Sequence, residues 1–210
     1  MTRMRLIIRI LTCASVAAAA TSCGDVVRQG RAPVFLIIDQ LTASRGGGTA
    51  TASSFLLSDV LTIVTTPAPC STDNPCATIF NDTGAATLRL SPKDIGPVGV
   101  PVTPSQNNEV TIRRVHVGYR RSDGRNIQGV DVPYAFDGAA TGTVPAAGTL
   151  TLGFEMVRHT AKEESPLVQL QSNGVIITTI ADVTFYGTDK VGNDISVTGS
   201  IQVDFGNFGD

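Results

Sequence analysis

Four cysteines, two histidines and a few clustered carboxylates hold whatever covalent or acid–base chemistry this 210-residue chain can offer. Cys70 and Cys76 share a short segment with Pro69, Asn74 and Pro75, turn formers that can fold it back on itself. A disulfide fits that spacing. The other reading is half of a zinc site, but the only imidazoles are His116 and His159, and neither neighbours a further cysteine. His159 is followed by Glu163 and Glu164. An imidazole beside two acids is material for acid–base catalysis or for a metal site. The plainer reading is a surface ion cluster. His116 alternates against Val115 and Val117 and is expected on a wet face beside arginines. Asp189, Asn193 and Asp194 put oxygen ligands on one turn, a weak calcium candidate. The same residues suit a metal-free turn by bonding their own backbone. No nucleophile elbow, phosphate-binding loop or zinc-protease signature occurs. No catalytic residue and no cofactor is expected. Arg113, Arg114, Arg120, Arg121 and Arg125 form the best candidate partner surface, for an envelope protein or an anionic polymer. Alternation divides it: Arg114 and Arg120 share one face, Arg113 and Arg121 the other. A charged sheet edge would explain the same residues.

A third thiol chemistry is acylation. Arg3, Arg5 and Arg9 make a positive start, Ile10 to Ala20 an uncharged and mostly apolar run, and Ala20, Thr21 and Ser22 a small-residue approach to Cys23. A signal peptidase needs small residues before its cut. The pattern resembles the lipobox of bacterial lipoproteins, in which the cysteine after the cut carries lipid. It implies a signal peptide over 1–22, with lipid (palmitate among its acyl chains) on Cys23 and a tether over 23–32. Two acyl chains hold firmly where one binds reversibly. A membrane-spanning helix is disfavoured, because the run falls short of the roughly 20 residues a bilayer requires. Gly24 after the cysteine, in place of Asp, resembles the pattern of lipoproteins sorted outward, a likeness that implies the outer membrane of the cell envelope. Cys13 would leave with the signal. An oxidising envelope favours the Cys70–Cys76 bond. Loss of Arg3, Arg5 and Arg9 takes the formal net charge from −2 to −5, which argues against nucleic acid.

The elements that must position these groups read as strands. Ile195, Val197, Gly199, Ile201, Val203 and Phe205 alternate with polar residues, giving one dry and one wet face. Leu150, Leu152, Phe154 and Met156 repeat the pattern. Val175 to Thr188 is a third run, with Val175, Ile177, Ala181, Val183 and Phe185 on one face. It joins the last strand through Asp189–Asn193 as a hairpin. Val34 to Leu41 is apolar on both faces and should lie under cover. Ala77 to Leu90 offers one or two strands around Asp82, Thr83 and Gly84. Val110 to Arg121 changes phase at Arg113 and Arg114, as a β-bulge would, before a turn at Ser122–Arg125. Ser44–Ser54 and the proline-rich Ser91–Asn108 read as loops. His159–Gln171 allows a short helix with a capping-box spacing from Thr160 to Glu163, limited by Pro166.

The hairpin from Ala181 through Asp189 and Asn193 into the alternating last strand resembles the final two strands of bacterial Ig-like and fibronectin-III-like domains. The whole chain also resembles uncharacterised bacterial lipoproteins, a likeness that implies no activity. The expected fold is all-β: one antiparallel Ig-like β-sandwich over 33–210, with long loops and one short helix. A minimal sandwich needs about 100 residues, so the surplus sits in tether, loops and extra strands. The expected function is a lipid-anchored, non-catalytic binding or structural module. The alternatives are an envelope hydrolase with a dispersed site at His159, Glu163 and Glu164, or a subunit of a larger envelope assembly.

Overall fold

A computed structural model describes residues 30–48 and 51–209. The expected signal peptide, Cys23 and most of the expected tether lie outside the described residues. The chain is 49% strand and 8% helix, so the expectation of a mostly β protein holds.

Three sheets organise it, and they are curled. The small sheet has the order β1-β5-β9, from β1 (Val34–Ser44), β5 (Asp82–Pro92) and β9 (Thr149–Val157), all antiparallel. The large sheet runs β2-β11-β10-β6-β7, from β2 (Phe55–Asp59), β11 (Asp194–Gly206), β10 (Ile177–Asp189), β6 (Val110–Arg120) and β7 (Phe136–Gly138). There β8 (Gly142–Val144) pairs with the start of β6. A two-stranded ribbon joins β3 (Thr62–Val64) to β4 (Cys76–Thr78). One pair departs from the antiparallel expectation: β2 runs parallel to β11. No tight hairpin turn delivers β2. The chain leaves the small sheet after β1, crosses through 45–54, and meets the outer edge of β11. An isolated bridge between Ala43 and Ser53 ties that crossing, with Ala43 N–H to Ser53 O at 2.9 Å and the reverse bond at 2.8 Å.

The inner faces of both larger sheets feed one core. Leu36, Leu88, Leu152 and Phe154 enter it from the small sheet, and Ile112, Val117, Phe185, Ile201 and Phe205 from the large one. Phe154 meets Phe185 edge to face across the sheets, with centroids 5.4 Å apart. Tyr119 on β6 donates its hydroxyl to the Met156 carbonyl on β9. Gly84 lies so close beneath Phe154 that a methyl group there would come within 2.5 Å of the ring.

The alternating patterns of β9 and β11 are observed as expected: Leu152, Phe154 and Met156, and Ile195, Ile201, Val203 and Phe205, are buried. The phase change in β6 is a bulge. Tyr186 pairs with Arg114 and Gly187 with Ile112, so Arg113 is the extra residue. Ala77 to Leu90 holds two strands, β4 and β5, as expected, and three details differ from expectation. Val175 is 57% exposed and precedes β10, because its N–H bonds the Asn173 side chain in a local turn. Phe35 faces outward, covered by the Lys93 ammonium 5.2 Å from its ring centroid, so β1 is not under cover on both faces. The short helix α1 (His159–Lys162) starts one residue before Thr160, and Glu163 caps its other end, so no capping box forms.

Candidate functional site

Cys70 and Cys76 are joined in a disulfide, with their α-carbons 5.4 Å apart. It closes the tip of the β3–β4 ribbon. Two short strands alone are marginal, and the bond supplies the restraint their few ladder contacts lack. The zinc alternative for these thiols falls away.

The arginine cluster comes to the large sheet's outer face and its end turn, already matched by acids. Arg114 Nη1 lies 2.9 Å from Asp137 Oδ1, and its guanidinium stacks 4.0 Å from the Tyr186 ring centroid. His116 Nδ1 shares the same carboxylate at 3.1 Å, and this hydrogen bond holds Asp137 below the usual carboxylate range. Arg120 Nε is 2.6 Å from Asp182 Oδ2. Partial burial works against the Asp182 charge, but Arg120 and the Ser200 hydroxyl hold its pKa below normal. Arg121 and Arg125 both grip Asp123 at 2.8 Å, and their hydrogen bonds hold its carboxyl far below the ordinary range. Arg113 is set aside by the bulge, exposed. The five arginines therefore make no single bare cationic patch. Four of them belong to a charge-paired polar surface on β6, β10, β7 and the turn after β6.

The calcium candidate is occupied by its own turn. Asp189 is buried and accepts from the Val191 N–H at 3.0 Å, the Asn193 N–H at 2.8 Å and the Asn193 side-chain amide at 2.7 Å. Those donors use the oxygens a cation would need. Among the described residues no group of three or more His, Cys, Asp or Glu side chains is placed to hold a metal. His159, Glu163 and Glu164 are exposed on α1 and the turn after it.

What that segment does bury is Lys162, 1% exposed, and sequence reasoning missed it. Its ammonium lies 2.9 Å from Asp82 Oδ2, and Asp82 is fully buried at the start of β5. The same carboxylate accepts the Ser58 hydroxyl at 2.6 Å and the Gly46 N–H at 2.9 Å. Asp59, also buried, stands nearby and takes Arg45 at 3.8 Å and the Phe208 N–H at 3.3 Å. Burial pushes Asp82 up and Lys162 down, each opposed by the attraction of the other. The cluster ties α1, β5, β2, the 45–54 crossing and the C-terminus together. Its serine is sealed from solvent and donates to a carboxylate, so it presents no nucleophile to a substrate. The sequence carries no local signal for this buried cluster, because Lys162 stands among His159, Glu163 and Glu164 in a segment with the composition of a surface.

A cleft of 540 Å³ runs along the seam where β1 faces β11, between Leu36–Leu41 and Val197–Ser200. Its one acid, Asp39, is bound to Arg89 at 2.7 Å. The packing beneath it is tight: a methyl group on Gly199 would come within 2.8 Å of Ile38 Cδ1. Among the described residues no helix is long and apolar enough to cross a membrane. No protein-family model matches this chain, and no curated protein is similar enough to it to count as a relative.

Proposed function

We propose that this is a lipid-anchored protein of the bacterial cell envelope, held in the outer membrane through Cys23. Its β domain, a sandwich Ig-like in the last two strands, acts there as a non-catalytic binding or structural module. The small-residue approach to Cys23 supports the anchor. The observation that carries the module reading is the placement of the ionisable groups. The deepest of them, Lys162 and Asp82, is a sealed internal tie, while Arg114, Asp137, Arg120 and Asp182 form a paired polar face. The β10–β11 hairpin, paired from Ile177↔Phe205 to Thr188↔Asp194, supports the Ig-like reading. The face offered to an envelope partner carries Arg114 stacked on Tyr186, with Arg120 and Asp182 further along the same face of β6 and β10. Stacked arginine and tyrosine are the residue types that dominate protein interfaces.

Two measurements test this. Cys23→Ser should leave the precursor unprocessed and free of acyl label, and a labelled mutant refutes the anchor. Pull-down of the lipidated protein from detergent-solubilised envelopes should return a defined partner that Arg114→Ala with Tyr186→Ala releases. A partner retained by that double variant places the interface elsewhere.

A further inference from the structure

The end of the domain where the tether enters also carries its most exposed apolar segment. After β5 ends, Ile95 to Asn108 is fourteen residues without a charge. Its first half is a built loop. The Gly96 N–H bonds Asp94 Oδ1 at 2.9 Å, the Val100 N–H bonds Pro97 O at 3.0 Å, and the Val102 N–H bonds Ile95 O at 3.3 Å. Gly96 and Gly99 have φ of +72° and +88°, the left-handed region that glycine adopts without strain. What this loop displays is aliphatic. Ile95 is 77% exposed, Val100 66% and Val98 fully exposed. Four large aliphatic side chains grouped on one short loop are not the scattered surface hydrophobes of an ordinary exterior.

Its place relative to the tether is fixed by hydrogen bonds. The Lys93 N–H bonds Pro33 O at 2.9 Å, and Lys93 Nζ bonds Gly30 O at 3.4 Å. Gly30 is only seven residue steps along the chain from Cys23. At about 3.3–3.6 Å per residue, that chain reaches no further than ~25 Å. The exposed Val191, in the β10–β11 turn, lies at the same end, because Asp189 pairs with Val110 at the start of β6. A lipid on Cys23 therefore keeps this end, and no other, within reach of the bilayer.

We propose that the 95–102 loop is a membrane-contact element, whose Ile95, Val98, Val100 and Val102 side chains enter the phospholipid surface beside the acylated Cys23. It fixes which way the domain faces, so that the opposite end and the sheet faces point away from the membrane. The proposal rests on the anchor reading above.

The chain has no tryptophan, so one introduced indole reports alone. The experiment reconstitutes full-length processed protein, as Val98→Trp or Val130→Trp, into phosphatidylethanolamine–phosphatidylglycerol vesicles, with or without bromine on the acyl chains. Val130 is exposed beyond the far end of β6, about 30 Å or more from the loop at the usual rise per strand residue. The Val98→Trp emission should shift to the blue and be quenched by bromolipid, while the Val130→Trp emission stays red and unquenched. The mass of the N-terminal peptide is read on the same sample. Acylated protein with an unquenched indole at position 98, or with equal quenching at 98 and 130, overturns the loop and leaves the anchor standing. Protein without an acyl mass overturns both.

Discussion

Breaking the Lys162–Asp82 tie from one side at a time should cost more than removing it whole. Lys162→Met leaves a carboxylate with only Ser58 and Gly46 as donors, in a site with no exposed surface. Asp82→Leu leaves a buried ammonium whose close partner, at 2.9 Å, is gone. An uncompensated buried charge of this kind costs about 3–5 kcal/mol. For a domain of this length that is a fall in Tm of about 6–20 °C. The Lys162→Met/Asp82→Leu double variant should lose clearly less than the sum, because it leaves no orphan charge. The two single variants should also respond to pH with opposite sign. Burial raises the folded pKa of Asp82, so in Lys162→Met the penalty is relieved as pH falls towards the unfolded carboxylate range and is full above the folded pKa. Burial lowers the folded pKa of Lys162, so in Asp82→Leu the penalty is full below that pKa and relieved as pH rises towards the ordinary lysine range. Urea denaturation of the soluble form begun at Gly24, in a pH series, measures all four corners of the cycle. Additive single-variant losses, or the same pH trend in both, would refute the assignment of this pair as a mutually compensated buried charge.

Val203→Asp should destabilise far more than Gln202→Asp, since Val203 is fully buried on the core face of β11 and Gln202 is exposed beside it; equal melting temperatures would sink the facing assigned to that strand. Alkaline absorbance titration should find one of the three tyrosines still protonated past the ordinary phenol range until the protein unfolds, because burial, with Asp82 nearby, raises the Tyr119 pKa; full ionisation of the native protein contradicts it. Phe185→Ala, which removes half of the ring pair linking the two sheets, should cost ~3–5 kcal/mol, read from the same denaturation curves. Non-reducing peptide maps should return Cys70 and Cys76 as one cross-linked peptide, and Cys70→Ser with Cys76→Ser should cost less than the ~3 kcal/mol of a fifteen-residue loop, leaving the core melt intact.

The strands that read clearly in the sequence are those with one wet face. In β9 and β11 the period of two is set by solvent on one side and core on the other, so alternation carries the facing directly. The bulge in β6 was legible for the same reason: an inserted residue flips the parity of everything after it, and the apolar positions kept the record in Val110, Ile112, Val115 and Val117. Pairing partners were not legible. Nothing local in Phe55–Asp59 announces a parallel partner some 147 residues away, because that contact is made by the path of the 45–54 crossing. The disulfide followed from turn residues and spacing. The interior tie did not, because Lys162 sits among Glu163, Glu164 and His159 and shares their surface composition. Its burial is decided by Asp82 and Ser58, which are distant in sequence and look like an ordinary turn acid and an ordinary strand serine. Arg114 and Arg120 looked unpaired because their acids, Asp137 and Asp182, lie on neighbouring strands, whereas Asp123, which pairs with Arg121 and Arg125, stands between them in the chain.

The last strand is also an inner one: β11 has β10 on one side and β2 on the other. An early segment, Phe55–Asp59, thus waits for a pairing partner that ends at Gly206. A chain that emerges N-terminus first cannot complete the large sheet until Gly206 is free. Every partial chain leaves an edge strand open and the core lacking Ile201, Val203 and Phe205. Contacts this distant in sequence make for slow folding. That arrangement is a timer: the native core cannot close until Ile201, Val203 and Phe205 have emerged.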